Sequence, residues 1–387
     1  MTTIAGRLPD GRTAAVTYEN GRITAVTPRD GGGSEGEGEG ERLILPGLVD
    51  IQVNGYAGID VNGDATTADD IGALVRALWR RGVTTLYPTI ITAPEERIVS
   101  SLRAIAAARA ADPLVRHAIP GVHVEGPYLC AEDGPRGAHD ARYLRDPDAA
   151  EFARWQRAGE GLVRIVTLAP ERPGAPEYIA GLARQGVLAA IGHTAATGPQ
   201  ITAAADAGAR LSTHLGNGAH PVLPRHPNYL WAQLAEDRLA ATFIADGHHL
   251  PADTFTAMLR AKGPERALLV SDSAALAGCP PGDYTTPVGG HVTVRPDGRL
   301  TLAGSDLLAG SGRSLADCAA WALAHTEADL ATVVRLAAGN PARLLDLAGR
   351  ATITRGAHAD LVVADRTPDG GLAVRLTVVN GVVVHES

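Results

Sequence analysis

The chain has 387 residues, of which 45% are apolar and 20% are charged, and its formal net charge is −8. This balance suits one large domain or two ordinary ones with enough apolar material for a core. The 35 basic residues are scattered, which argues against a nucleic-acid-binding face. No apolar run approaches the ~20 residues needed to span a bilayer. The N-terminus lacks the charged start and apolar stretch of a signal peptide, so we expect a cytoplasmic protein.

Cysteine and lysine usage excludes further classes of protein. Cys130, Cys279 and Cys318 lie far apart in sequence, so neither a CxxC zinc knuckle nor a dense disulfide framework is expected. Lys262 is the only lysine, and Schiff-base chemistry or a modified lysine bridging two metals would have to use it. Because a helical pattern ends at Lys262 and Gly-Pro follows, we expect this residue at a helix end on the surface.

The first predicted elements are two strands, Thr13–Tyr18 and Arg22–Thr27, joined by Asn20-Gly21, a pair that favours a tight hairpin turn. Residues 30–41 form a Gly/Glu-rich stretch that cannot bury apolar surface, and we expect a mobile loop there. Three more strands are predicted near the other end of the chain: Asp360–Ala364, Leu372–Val379 and Val382–Val384. A second Asn-Gly pair joins the last two, and we infer that both chain ends build one small β domain.

In the middle of the chain, eight apolar runs each end in a polar residue or turn. These runs are Leu48–Asn54, Val83–Thr89, Ile119–Glu125, Val163–Leu168, Val187–His193, Ala209–His214, Ala240–Asp246 and Ala267–Asp272. Helical patterns separate most of them, namely Ala68–Arg81, Pro94–Ala111, Glu177–Gln185, Pro199–Ala207 and Pro251–Lys262. Buried strands that alternate with helices indicate a parallel sheet, and eight such units over residues 47–346 predict a (β/α)8 barrel. A doubly wound open sheet is the alternative, although the sequence has no GxGxxG motif after a strand and no Walker A motif.

Polar side chains stand at the ends of these predicted strands. They are Asn54, Thr89, Glu125, His193, His214, Asp246 and Asp272. Active-site groups of a barrel occupy the carboxyl ends of its strands, so we expect these side chains to meet. One carboxylate and two imidazoles, from Glu125, His193 and His214, with one open position are typical of a catalytic zinc site. The alternative is that all three are hydrogen-bonded polar groups at the rim of the barrel.

Asp272 ends the eighth run. A carboxylate there would face the water that the metal activates, take its proton and later give that proton to a leaving amine. The alternative role of Asp272 is to cap the helix that follows, which is a common use of Asp after a strand.

Several further polar groups lie in predicted loops. His139, His248 and His249 follow the third and seventh strands, where histidines are often only solvated. The Gly-rich stretch 215–219 could bind an anion through its backbone N–H groups, or could form only a tight turn. Arg225 could meet a phosphate bidentately, although most arginines are simply surface residues.

Eight motifs follow one another along the chain. They are Pro46-Gly-Leu-Val-Asp-Ile-Gln-Val-Asn-Gly55, His123-Val-Glu-Gly-Pro127, Ile191-Gly-His-Thr194, Thr213-His-Leu-Gly-Asn217, Ala245-Asp-Gly-His-His249, Val270-Ser-Asp272, Leu302-Ala-Gly-Ser305 and Asn340-Pro-Ala-Arg343. Together they resemble the N-acetylglucosamine-6-phosphate deacetylases of the amidohydrolase superfamily. The resemblance implies a (β/α)8 barrel over residues 47–346 and a small β-sandwich formed by residues 1–46 and 347–387. It also implies hydrolysis of an N-acetyl group, giving acetate and glucosamine 6-phosphate.

The resemblance implies the following catalytic roles. Glu125, His193 and His214 would hold one divalent metal. Asp272 would act first as general base and then as general acid. His139, in the sequence Arg-Gly-Ala-His, would help to polarise the acetyl carbonyl.

The resemblance also implies the residues that bind the substrate. Asn217, the backbone of Gly218 and His249 would contact the sugar phosphate, and His248 would lie on the same side. Arg225 matches an arginine that such enzymes lend across a dimer interface, so a homodimer that binds a small-molecule sugar is expected.

Two amides suggest how many metals the site holds. Many amidohydrolases bind a second metal through His-x-His on strand one, and the corresponding residues here are Gln52 and Asn54. Neutral amides are poor zinc ligands, and no lysine is available in a barrel strand as a bridge. We therefore predict one divalent ion, Zn2+ first, with Fe2+, Co2+ or Mn2+ as alternatives.

Some stretches depart from the family. After the metal histidine such enzymes usually have a bulky residue and then Asn-Ala-Met, whereas this chain has Leu215-Gly-Asn-Gly-Ala219. Residues 220–229 and 306–312 also differ, and all of these would line the substrate side. Three hypotheses follow: an N-acetylhexosamine-phosphate deacetylase, the same chemistry on an unphosphorylated N-acetylated sugar or other N-acyl amine, and a non-catalytic sugar-binding or regulatory protein. Three metal ligands together with Asp272 argue against the third.

Overall fold

The computed structural model describes residues 1–29, 42–286, 290–367 and 370–387, so the loop predicted over 30–41 lies outside the described residues. The strands of the described residues are β1 Thr2–Arg7, β2 Thr13–Glu19, β3 Arg22–Pro28, β4 Arg42–Pro46, β5 Leu48–Val53, β6 Gly55–Tyr56, β7 Ile59–Asp60, β8 Val83–Ile91, β9 Val122–Glu125, β10 Val163–Leu168, β11 Leu188–Ile191, β12 Leu211–Ser212, β13 Ala240–Ile244, β14 Ala267–Val270, β15 Gly282–Thr286, β16 Gly290–Val294, β17 Leu300–Leu302, β18 Leu361–Arg366, β19 Leu372–Val379 and β20 Val382–Glu386. The α-helices of the described residues are α1 Ala68–Trp79, α2 Glu95–Ala111, α3 Pro113–Ala118, α4 Ala149–Ala158, α5 Ala175–Arg184, α6 Gly198–Ala207, α7 Tyr229–Ala235, α8 Ala252–Lys262, α9 Leu315–His325, α10 Leu330–Val334 and α11 Asn340–Leu344.

Eight parallel strands form the predicted barrel, in the order β5-β8-β9-β10-β11-β12-β13-β14. Each predicted apolar run contributes one of them. The ring closes between the first and last strands through a parallel bridge from Val53 to Ser273. Two backbone hydrogen bonds join the same strands, from the Asp272 N–H to the Gln52 carbonyl and from the Asn54 N–H to the Ser273 carbonyl. The (β/α)8 prediction is therefore confirmed.

The side chains of the barrel strands alternate between two separate apolar cores. One cluster takes residues from seven barrel strands and none from helices α1 to α9, and includes Val49, Ile165, Leu211 and Leu268. Because successive side chains of a strand point to opposite faces, the neighbouring residues join a second cluster with the surrounding helices. The first cluster fills the barrel below its mouth, which leaves the carboxyl ends of the strands free for polar groups.

Both chain ends contribute to one seven-stranded sheet, in the order β20-β19-β18-β4-β1-β2-β3. Side chains from β2, β4 and β18, among them Val16, Tyr18, Ile44 and Leu361, pack in one apolar cluster, so both chain ends build one small β structure as expected. In the hairpin turn Asn20-Gly21 both residues have positive φ, as a tight primed turn requires.

We propose that residues 1–46 and 347–387 form the small domain. Strand β4 ends in the terminal sheet and β5 begins in the barrel with one residue between them, which supports the first boundary. Leu347 and Ala351 still pack against the barrel core. The residues just after the second boundary therefore connect the barrel to the small domain.

A three-stranded antiparallel sheet, β15-β16-β17, lies between the last barrel strand and α9 and was not predicted. We call these three strands the mouth sheet. The alternation of Val292, Val294, Leu300 and Leu302 around Asp297-Gly298 is a hairpin signal that the sequence does contain. The mouth sheet packs through Val292, Val294 and Leu300 in a small apolar core of its own.

The prediction that Lys262 lies on the surface is wrong. Helix α8 does end at Lys262, but the side chain is completely buried. Its Nζ donates hydrogen bonds to the carbonyls of Gln233 and Glu236, at 2.7 and 2.8 Å. These are carbonyls at the C-terminal end of α7, where a helix leaves acceptors without partners and attracts a cation. Lys262 thus joins two helices.

Within the described ranges, every helix falls short of the length and apolar character that a membrane span requires.

Candidate active site

A cavity of about 320 Å³ opens at the carboxyl ends of the barrel strands. Its polar lining includes the predicted strand-end residues Asn54, Glu125, His193, His214 and Asp272. The strands converge there because a closed parallel barrel carries all of its carboxyl ends on one rim. Four residues from the catalytic prediction are therefore brought together although they are up to 147 positions apart, counting from Glu125 to Asp272.

Glu125, His193 and His214 form a compact group of possible metal ligands. One donor atom from each lies within 4.8 Å of the others. The His214 Nε2 is 2.9 Å and the His193 Nε2 is 3.4 Å from the Glu125 Oε1. All three residues are buried, and one carboxylate with two imidazoles is a donor set that suits a divalent transition ion. The predicted ligand set therefore fits a single ion chemically.

Three of the site residues have left-handed backbone conformations. The φ angles of His193, His214 and Asp272 are 51°, 30° and 47°. Non-glycine residues in this region cost on the order of 1–3 kcal/mol each, and such costs concentrate at functional sites. The strand ends therefore turn sharply at the residues whose side chains must point into the cavity.

The electrostatics of the group favour an ionised carboxylate. Burial alone would raise the pKa of Glu125, but hydrogen bonds and charges from His193 and His214 hold it well below its usual range. The pKa of His214 is raised, because the effect of Glu125 outweighs that of burial. A divalent cation would compete with protons for these nitrogens, so metal binding would release protons.

Neighbouring polar groups orient these ligands. The Gln52 Nε2 donates to the Glu125 Oε1 at 2.9 Å, and the His193 Nδ1 lies 2.8 Å from the carbonyl of Pro135. The carbonyl fixes the proton of His193 on Nδ1, which leaves Nε2 free to bind a metal. Gln52 was predicted only as a poor ligand, and its structural role as a hydrogen-bond donor to the metal carboxylate was not predicted.

Asp272 is held beside this group by the second amide of strand β5. The Asn54 Nδ2 donates to the Asp272 Oδ1 at 2.7 Å. Burial, with a smaller contribution from the negative charge of Glu125, raises the pKa of Asp272 to about 6. A carboxyl group with a pKa near neutrality can both accept and return a proton, as general acid–base catalysis requires. The position suits the predicted role.

His139 reaches the same cavity from the loop after β9. Its Nε2 lies 3.3 Å from the His193 Nε2, and its Nδ1 is 2.9 Å from the Thr92 hydroxyl. Burial, with the neighbouring His193, lowers the pKa of His139 to about 3, so the ring is neutral. Thr92 fixes the orientation of the ring, and it was missed because a single threonine after a strand carries no distinctive signal.

The predicted substrate-binding residues fall into two groups. Asn217, Gly218 and His249 line the cavity, whereas His248 lies next to it and does not line it. Arg225 is exposed and does not line the cavity of its own chain.

Gly218 is required by its close contact with His193. Its φ is 56°, and a Cβ added there would lie 2.7 Å from the His193 Nδ1. The Gly-rich loop therefore passes directly against the His193 ring, and a larger residue would push either the loop or the ring away.

The mouth sheet supplies a wall of the cavity that was not predicted from the sequence. Val292, Leu300 and Leu302, with Leu308 from the following loop, line the cavity near Ala274, two residues beyond Asp272. These valine and leucine side chains give the cavity an apolar surface, whereas Glu125, His193 and His214 carry hydrogen-bonding groups.

A model of the amidohydrolase family matches residues 43–384. The chain belongs to the amidohydrolase family. Among curated relatives, it is 31% identical to the N-acetylglucosamine-6-phosphate deacetylase of Bacillus subtilis, over 90% of this chain and 88% of that protein. It is 34% identical to the N-acetylgalactosamine-6-phosphate deacetylase of Escherichia coli O157:H7, over 89% of both proteins.

Solved structures agree with this family assignment. The N-acetyl-D-glucosamine-6-phosphate deacetylase of Mycobacterium smegmatis superposes with a TM-score of 0.85 at 35% identity, covering 97% of this chain and 96% of that one. A mutant of that enzyme has been solved in complex with N-acetyl-D-glucosamine-6-phosphate. As an amidohydrolase of this fold, the chain has a barrel and terminal sheet that correspond to those of its relatives over nearly their whole length.

Proposed function

We propose that this amidohydrolase removes the N-acetyl group from N-acetylglucosamine 6-phosphate, giving acetate and glucosamine 6-phosphate. The observation that carries the proposal is the convergence of Glu125, His193, His214 and Asp272 in one cavity. Relatives named for this activity at 31–35% identity, over most of the chain, support the same reaction.

In this proposal Glu125, His193 and His214 hold one divalent ion, most consistently Zn2+, with Fe2+, Co2+ or Mn2+ as alternatives. Such an ion would supply Lewis-acid chemistry at the amide carbonyl and would acidify water. Gln52 and Asn54 occupy the positions at which a second ion would need ligands, and both amides already donate to carboxylates, which supports a single ion.

Asp272 and His139 are the proposed catalytic groups. Asp272 takes a proton from the attacking water as the C–O bond forms, and it transfers that proton to the nitrogen as the C–N bond breaks. The neutral His139 ring stabilises the negative charge that develops on the carbonyl oxygen. The products are a carboxylic acid and a free amine, so all atoms of water are accounted for.

The substrate side uses Asn217, Gly218 and His249, with His248 beside them. Because Arg225 is exposed and away from its own cavity, we propose that it reaches the cavity of a second copy in a homodimer. We also propose that the protein works in the cytoplasm and that its ligand is a small-molecule sugar.

One observation favours an alternative substrate. No lysine or arginine of the described chain lines the cavity, although a phosphate normally attracts such residues. An unphosphorylated N-acetylated sugar, or another N-acyl amine, therefore stays a candidate. N-acetylgalactosamine 6-phosphate is a third, since two relatives are named for it.

Acetate release from the metal-reconstituted protein tests these possibilities. We expect kcat/KM to be highest for one of the two hexosamine 6-phosphates and at least tenfold lower for the same sugar without phosphate. Equal values with and without phosphate would favour the unphosphorylated alternative. No acetate from any N-acetylated sugar would contradict a deacetylase.

A further inference from the structure

Asp246 follows strand β13 at the mouth of the barrel, and the proposed mechanism gives it no task. Its side chain is only 1% exposed. Its Oδ1 accepts hydrogen bonds from the backbone N–H groups of His248 and His249, both at 2.8 Å. Its Oδ2 lies 2.7 Å from the Nδ1 of His249. One buried carboxylate thus fixes both the backbone and the ring of His249.

These contacts determine which nitrogen of His249 carries a proton. Burial would raise the pKa of Asp246, but the hydrogen bonds and charge of His249 and the two amides lower it to about 2. An ionised carboxylate only accepts hydrogen bonds, so the His249 Nδ1 must be the donor. The neutral ring then presents an unprotonated Nε2 to the cavity, and Nε2 can donate only when the ring is a cation.

The residues that line the cavity make the protonation of His249 important for binding an anion. His249 lines a cavity without lysine or arginine among the described residues, and its three other histidines belong to the proposed catalytic centre. We propose that Asp246 is a positioning residue that fixes the Nδ1–H tautomer of His249, so that the ring binds the anionic group of the substrate only as an imidazolium. The inference rests on the proposed function for the identity of that anion, a sugar phosphate.

The variant Asp246→Asn tests this assignment directly, because the existing backbone contacts fix the orientation of the new side-chain amide. Two backbone N–H groups require an acceptor at the position of Oδ1, so the amide oxygen must stay there. The amide nitrogen then occupies the position of Oδ2 and donates to the His249 Nδ1. The proton of the neutral ring moves to Nε2, and the imidazolium loses its carboxylate partner.

The tautomer can be measured without any assumption about the reaction. In 15N NMR of the histidine-labelled protein above the titration range of its rings, we expect the wild-type His249 to carry its proton on Nδ1 and the Asp246→Asn variant to carry it on Nε2. The variant His249→Gln assigns the signal. A neutral wild-type ring protonated on Nε2 would overturn the proposal. The wild-type measurement gives this answer even if the Asp246→Asn variant does not fold.

Kinetics test the consequence for the anion. For the phosphorylated substrate we expect Asp246→Asn to raise KM roughly fivefold to tenfold, since a charge-assisted hydrogen bond becomes a neutral one, with kcat within twofold. KM for the unphosphorylated sugar should stay within twofold. The exposed Asp253→Asn, which removes the same charge from the start of α8, is the matched control and should change neither value.

Two kinetic outcomes would overturn the inference: an unchanged KM for the phosphorylated substrate, or an equal rise in KM for both sugars. If the chain releases no acetate from either sugar, the proposed function fails. Calorimetry with glucosamine 6-phosphate and with glucosamine then tests Asp246 separately. We expect Asp246→Asn to weaken the affinity for the phosphorylated ligand and to leave the affinity for glucosamine unchanged.

Discussion

The two sides of the cavity are built in different ways. On the metal side, Glu125, His193 and His214 stand at strand ends, and backbone and amide groups hold their orientation. The mouth sheet, by contrast, presents Leu302 and other apolar side chains to the cavity, and its strands belong to a separate sheet. The first side holds polar groups in fixed orientations, whereas the second offers apolar side chains for contact with a ligand.

Each side of the cavity controls a different property of the protein. Metal binding and proton transfer depend on distances of a few tenths of an ångström, and strand ends of a closed barrel provide such precision. Apolar contact is non-directional, so the mouth sheet can change its side chains without disturbing the chemistry. We therefore expect substitutions on the metal side to affect kcat or metal affinity, and substitutions on the mouth sheet to affect KM.

The largest expected effect is at Asp272. Asp272→Asn keeps the hydrogen-bonding shape but removes the proton acceptor, so kcat should fall by a factor of roughly 10²–10⁴. Metal content, measured by atomic emission after dialysis, should stay that of the wild type. The exposed Asp69→Asn serves as the control for loss of one carboxylate. Full activity of Asp272→Asn would contradict its role as the general base.

An intermediate effect is expected at Gln52. Gln52→Ala removes the 2.9 Å hydrogen bond that orients the Glu125 carboxylate, and losses of this kind weaken metal affinity roughly 10- to 100-fold. Competition with a chelator measures the affinity directly, and excess metal should restore most of the activity. Gln185→Ala, on an exposed position at the end of α5, should leave affinity unchanged. An unaltered affinity in Gln52→Ala would mean that Glu125 needs no such support.

The smallest effect is expected on the mouth sheet. Leu302→Ala removes part of the apolar wall, and a loss of about 1 kcal/mol of apolar contact raises KM roughly fivefold while kcat and metal affinity stay the same. Leu307→Ala provides a control on the neighbouring loop, because that side chain is 67% exposed and does not line the cavity. A change in metal affinity in Leu302→Ala would break the division between the two sides.

The barrel and the residues at its mouth could be predicted from the sequence. Strand and helix patterns are local, and in a closed parallel barrel the end of every strand lies on one rim, so Glu125, His193, His214 and Asp272 could be grouped from their strand-end positions alone. The terminal sheet was predictable for a similar reason, since both Asn-Gly pairs specify tight turns between alternating strands.

The contacts between side chains became visible only in the folded chain. The sequence indicated neither that Lys262 is buried against the end of α7, nor that Gln52 and Asn54 bind the two carboxylates of the site. The pairing of Asp246 with His249 and the apolar wall of the mouth sheet were equally hidden. The physical reason is that hydrogen bonds and apolar contacts between distant segments depend on the packing of the whole chain, which local periodicity does not encode.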